Sequence, residues 1–178
     1  MLSRRTGYLQ DKYYPGDAIK AGRVMSIPDV ISAIGSPLCG LIMDKWGHRG
    51  AYLPLSAGFF LLVHGLMAFT KVDAVPSLTL LGIAYSFFAS ALWPCVPYLV
   101  ERKRLGTANG IMMVSLNLAL SIFPIMVAAV QNNAGYFGLE LFFMGAAGAG
   151  ILSTGFLLYL DKQGANALAQ THGHIVLE

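Results

Sequence analysis

The sequence predicts an all-α membrane protein built from five transmembrane helices. Three observations lead there: a scarcity of charge, five long apolar runs, and basic residues that favour alternate loops. Of 178 residues, 56% are hydrophobic and only 12% are charged, about half the charge of a typical soluble domain. A bilayer core needs about 20 apolar residues in a helix. Such runs cover residues 24–43, 51–69, 76–100, 107–130 and 137–160. The middle three contain no Asp, Glu, Lys or Arg, whereas buried helices of a soluble protein would each keep a polar stripe.

The connections are short, so neighbouring spans must run antiparallel. The loop at 44–50 carries Lys45 and Arg49, that at 101–106 carries Arg102, Lys103 and Arg104, and the tail at 161–178 carries Lys162. The two intervening loops, 70–75 and 131–136, hold Lys71 alone. The positive-inside rule therefore places the first set of loops and the C-terminus in the cytoplasm. Residues 1–23 are expected to form a polar segment on the opposite side, without the apolar core of a signal peptide. That segment carries Arg4, Arg5, Lys12, Lys20 and Arg23, an arrangement expected of the back part of a longer protein.

Several function classes fall away. A net charge of +3 is too small to suggest a nucleic-acid binder. Cys39 and Cys95 lie far apart within apolar runs, without metal-ligand spacing, and read as small buried hydrophobes. No nucleophile–base set, phosphate-cradling glycine loop or ligand cluster is present. Neither an enzyme nor a cofactor or metal site is expected.

The stretch GSPLCGLIMDKWGHRG, residues 35–50, concentrates chemistry where the first span meets the turn to the second. Gly40 would let two helices approach, and Gly47 would permit a sharp turn. Asp44 can serve the N-terminal end of a facing helix as an anion. Lys45 and Arg49 would hold the loop at the cytoplasmic surface. The plainer alternative is that these charges only set topology.

The pattern Gly40-x-x-x-Asp44-Lys45-x-Gly47-x-Arg49 resembles the signature loop of the major facilitator superfamily, which follows the second span of each six-helix half. This resemblance implies that the five spans correspond to helices 8–12 of a twelve-helix carrier whose first seven helices are lacking here. It also implies that the 44–49 loop latches one conformation of the carrier. The runs at 31–47, 80–100 and 105–120 are similar to one branch, the major facilitator superfamily domain-containing protein 1 group of lysosomal dipeptide carriers. The matching residues include Ser36, Pro37, Gly40 and Asp44, then Gly82, Tyr85, Trp93 and Pro94, then Gly106, Thr107, Gly110 and Asn117. The branch implies a dipeptide-like small-molecule substrate, a surrounding lipid bilayer, and a lysosomal or vacuolar membrane. It further implies that the missing N-terminal half, or a partner, is needed to form a cavity. A sugar or organic-anion carrier of the same superfamily, and a five-span fragment without transport of its own, are the alternatives.

Polar groups inside the spans mark candidate pathway residues, because a central Asp costs about 2.5–3.5 kcal/mol to insert. Asp29, Trp93 and Asn117 are the candidates for a substrate cavity. Asp29 could meet an amine or merely cap its helix. Trp93 could form a cavity wall or pack between helices. Asn117 could bond an amide substrate or join two helices. Glu140 reads as an interfacial acid, and His64 as a lone hydrogen-bonded histidine that could titrate. Gly145, Ala146, Ala149 and Gly150 place small residues one turn apart for close helix packing.

A prediction follows from the half-carrier reading. Liposomes containing residues 1–178 alone should take up no dipeptide above empty liposomes, and saturable uptake would overturn that reading.

Overall fold

The computed structural model describes residues 7–70, 73–164 and 168. Two short helices, α1 (Tyr8–Lys12) and α2 (Ala18–Met25), precede three long ones: α3 (Ile27–Trp46), α4 (Arg49–Phe69) and α5 (Ala74–Leu99). A single 3₁₀ turn, Arg102–Arg104, leads into a helical stretch from Leu105 to Gln163. Run straight, 59 residues would extend about 90 Å, three times a bilayer core. The stretch breaks at Gly135 (φ 65°, ψ −165°), a backbone conformation that essentially only glycine adopts. Residues 105–134 (α6) and 136–163 (α7) fold back on one another there, bringing the rings of Phe123 and Phe142 within 5.4 Å.

Four stretches are long and apolar enough to cross a membrane: Ala18–Trp46, Arg49–Phe69, Ala74–Leu99 and Arg102–Gln163. The Gly135 hairpin divides the last into two, which gives five crossings. The first helical stretch begins before residue 24, inside the segment expected to be a separate polar arm. Asp17 caps it, accepting from the Lys20 backbone N–H at 2.9 Å, and the chain stays hydrogen-bonded across Ser26 into α3. Lys20 and Arg23 remain exposed on α2, so a helix can run through a segment whose composition reads as polar. Similarly, the expected 131–136 loop is mostly helix, because a single glycine suffices for the turn.

Helices in lipid gain little by hiding apolar surface from each other, so close approach of backbones decides who packs on whom. α3 and α5 lie side by side in parallel. A Cβ on Gly82 would sit 2.8 Å from Ile31 Cβ and 3.0 Å from Pro28 Cα; one on Gly35 would sit 2.5 Å from Ser86 Oγ. Ser90 Oγ donates to the Ser36 carbonyl at 2.7 Å, tying the same pair of helices. α4 packs on α5 through rings, Tyr52 and Phe59 both stacking on Phe87. α7 runs antiparallel along α4: Gly50 meets Leu158, Ala57 meets Gly150, and Gly65 faces Met144. α6 stands on the outside of this group, with Ile111, Val114, Leu118 and Ile125 exposed.

Glycine substitutions should separate close packing from helix propensity. Gly82→Ala should destabilise by about 1–3 kcal/mol through overpacking. Gly58→Ala, where the added Cβ meets nothing within 4 Å, should stabilise by about 0.5–1 kcal/mol. Unfolding in detergent measures both, and equal effects would contradict the α3–α5 packing described above.

Candidate functional site

The turn between α3 and α4 is built by two residues with positive φ. Gly47 (φ 69°, ψ −150°) closes α3, its N–H donating to the Met43 carbonyl at 2.9 Å. His48 follows in the left-handed region (φ 55°, ψ 35°), and its Nδ1 lies 3.2 Å from the Trp46 carbonyl. The reversal is complete by Arg49, the first residue of α4. Asp44, in the last turn of α3, is thereby brought back onto the Arg49 guanidinium in an ion pair. The Arg49 side chain is only 6% exposed, whereas that of Asp44 is 46% exposed. Burial of a charge requires compensation, and a second partner supplies part of it. The Arg49 guanidinium lies over the Tyr98 ring, 5.5 Å from its centroid, in the last turn of α5.

Arg49 thus joins the ends of α3, α4 and α5. Beneath it Met43, Leu53, Ala91 and Cys95 form a buried cluster, together with Cys39 and Leu168. Gly50 admits α7 to the same junction: a Cβ there would lie 2.5 Å from Leu158 Cδ2 and 2.9 Å from Leu168 Cβ. Leu168 is held by its backbone N–H, which donates to Asp161 Oδ2 at 3.1 Å. Lys45 is exposed beside this junction. At Gly40 an added Cβ would meet nothing within 4 Å among the described residues.

The three candidate cavity residues are placed separately. Asp29 is exposed in the first turn of α3. Trp93 is 38% exposed on α5. Asn117 is exposed on α6, where its Nδ2 donates to the Met113 carbonyl of its own helix at 2.7 Å. Among the described residues no hydrogen bond, ion pair or ring contact joins any two of them.

One constellation emerges only from the packing. His64 of α4 and Glu140 of α7 form a pair, with Nδ1 2.7 Å from Oε2, and the carboxylate side chain is 3% exposed. His64 also stacks on Phe143 at 4.7 Å between centroids. Treating His64 as a lone histidine and Glu140 as an interfacial acid missed this pair. A signal was present: His64 lies five residues before the end of α4 at Phe69, and Glu140 five residues after Gly135. Equal depth from the same end of two adjacent helices lets the two side chains meet. Tyr8 of α1 adjoins them, and burial together with the nearby Glu140 carboxylate pushes the Tyr8 phenol well above its usual range.

A five-span bundle with a charged Gly-x-x-x-Asp-Lys-x-Gly-x-Arg turn defines the class of protein. A profile of the Major Facilitator Superfamily matches residues 8–173, and the chain belongs to that family of multi-pass membrane transporters. It is similar to the lysosomal dipeptide transporter MFSD1 of Homo sapiens and of Pongo abelii, 36% identical to each over 147 residues, 82% of this chain. The Danio rerio protein of the same name is 37% identical over 142 residues, 80% of this chain. The aligned part makes up 32% of the human and orangutan proteins and 31% of the zebrafish protein. The chain therefore spans about a third of the length of the curated relatives it matches.

The unequal burial of the ion pair predicts unequal mutants. Asp44→Asn should destabilise by about 1–3 kcal/mol, because it strands a buried cation. Adding Arg49→Met to that variant should recover part of the loss. Chemical unfolding of the two variants in detergent checks this, and additive losses would show that the Arg49 charge is not the source.

Proposed function

We propose that this chain forms the last five spans of a secondary carrier that moves dipeptides, or similar small zwitterions, by alternating access. The observation that carries this reading is the junction at Asp44 and Arg49, which ties the ends of α3, α4 and α5 into one body. A half that tilts as a unit needs such a brace, and an ion pair at its rim can be exchanged for contacts to the opposite half. In alternating access the two halves rock around a site near the bilayer midplane. The 44–49 loop is then the latch of one conformation, with Gly40, Asp44, Lys45, Gly47 and Arg49 as its parts. Support for a dipeptide comes from the three relatives described above, each named as a lysosomal dipeptide transporter.

Orientation and location belong to the same reading. The basic residues at Lys45, Arg49, Arg102, Lys103, Arg104 and Lys162 favour a cytoplasmic position for that end of the bundle and for the C-terminus. The names of the relatives favour a lysosomal or vacuolar membrane. Trp93 and Asn117 are assigned to the cavity wall, Asn117 offering an amide that can pair with a peptide group, and Asp29 is assigned to recognition of the substrate amine. The exposed surfaces of α3 and α6 are where the remainder of the carrier would complete the cavity.

The test is transport by the whole carrier in liposomes. Dipeptide uptake should be saturable, and Asn117→Ala and Trp93→Ala should each lower it by about tenfold, the loss of roughly 1.4 kcal/mol of binding. Hexose should not be taken up. Hexose uptake without dipeptide uptake would replace this reading with the sugar-carrier alternative.

A further inference from the structure

The end of the bundle opposite Asp44, where α4 finishes and α5 begins, carries a second set of contacts that the proposed latch does not use. All of them come from the short segment that precedes α2. Leu9 and Tyr14 are buried in a cluster with Val63 and Met67 of α4, Ala74 and Leu78 of α5, and Ala21 and Val24 of α2. Around that apolar floor, one polar contact reaches each of three spans. Lys12 Nζ donates to the Met67 carbonyl at 2.6 Å, a cation at the C-terminal end of α4 where the helix dipole favours it. The Tyr14 hydroxyl donates to Asp73 Oδ1 at 2.5 Å, directly before α5. The Tyr136 hydroxyl at the start of α7 donates to Asp11.

Aromatic rings hold the segment's own charge in place. The Lys12 ammonium lies 5.0 Å from the Tyr8 ring centroid and 5.3 Å from that of Tyr13, within cation–π range, and donates to the Tyr8 hydroxyl at 2.8 Å. The Tyr8 ring in turn lies 5.0 Å from that of Tyr136. The Glu140 carboxylate is also among the groups that act on the Tyr8 phenol, which sets the segment beside the buried His64–Glu140 pair.

We propose that residues 8–17 are a strap that closes this end of the bundle, pinned once each to α4, α5 and α7, and shielding the His64–Glu140 pair from water. The strap makes three spans move together at one end, as Arg49 does at the other. It depends neither on the substrate nor on the orientation proposed above.

The Tyr14–Asp73 contact holds across a wide pH range. The hydrogen bond from Tyr14 holds the Asp73 carboxyl below its usual range, and the same bond pushes the Tyr14 phenol up to about 12. A lowered carboxyl stabilises above its unfolded value and loses that contribution only as pH falls through the folded one. A raised phenol stabilises below its unfolded value and loses that only as pH rises through the folded one. The Tyr14–Asp73 contact is therefore present in full from about pH 4 to about pH 10.

The experiment replaces Cys39 and Cys95 by Ala and reads a single reporter, Met67→Cys, with a water-soluble maleimide. With the strap intact, labelling should be slow at pH 6.5 and at pH 7.5 alike, once the thiolate fraction is corrected for. Adding Lys12→Met and Tyr14→Phe should accelerate it by about tenfold, the signature of a local opening. A second reporter, Leu53→Cys in the opposite cluster, should stay slow in both backgrounds. Fast labelling of Met67→Cys with the strap intact, or no acceleration on breaking it, overturns the proposal. Acceleration at both reporters also overturns it, by showing that the whole bundle loosens. Amide exchange of the unmodified chain gives an independent reading: residues 9–14 and 66–70 should open together, and separate opening rates contradict a strap.

Discussion

The close approach of α3 and α5 is the constraint on which the remaining arrangement depends. Lipid tails solvate apolar side chains as well as another helix does, so sidedness in this bundle cannot come from hydrophobicity alone. It comes from where the backbone is bare. Gly35 and Gly82 leave room that Ser86 and Ile31 fill, and Ser90 satisfies itself on the α3 backbone. With α3 and α5 fixed in parallel, α4 must return between their ends, and its two turns acquire their geometry from that requirement. α7 then follows α4, and Gly50 and Gly150 mark where the two helices lie near each other.

The two ends of the bundle solve the same problem with different chemistry. At the Asp44 end a single buried guanidinium collects an acid, a ring and two helix ends. The structural strain there is confined to two residues, Gly47 and His48. At the Asp73 end no arginine is buried among the described residues. A short segment brings tyrosines and one lysine, and spreads the work across several moderate contacts. A concentrated charge is broken all at once by losing one partner. A distributed aromatic set can loosen contact by contact. That difference suits the latch and the strap proposed for the two ends.

Much of this architecture was legible because membrane insertion is decided by composition over long windows. The five spans, the hairpin connections and the charged turn at 44–50 could all be read from runs of apolar residues and from the placement of a few charges. The family could be read too, since the Gly40-to-Arg49 spacing combines a helix end, a turn and two opposite charges. Span edges were less legible. Lys20 and Arg23 made the start of the first helix look like a polar arm, and QNNAGY looked like a loop although only Gly135 leaves the helix. In both places backbone hydrogen bonding continued through polar side chains that sit exposed.

By itself the sequence determined that this chain is an all-helical, multi-pass membrane protein, and which turn carries the concentrated charge. Those properties depend on residues close together along the chain. Tertiary structure decided that Arg49 is the buried member of its pair, that His64 meets Glu140, and that Tyr8, Lys12 and Tyr14 reach three different spans. Each of those contacts joins residues from separate helices, and helix neighbours in lipid are chosen by small-residue packing rather than by any periodic pattern along one helix. That is why depth along a span could be counted from the sequence, while the face of each helix that meets a partner could not.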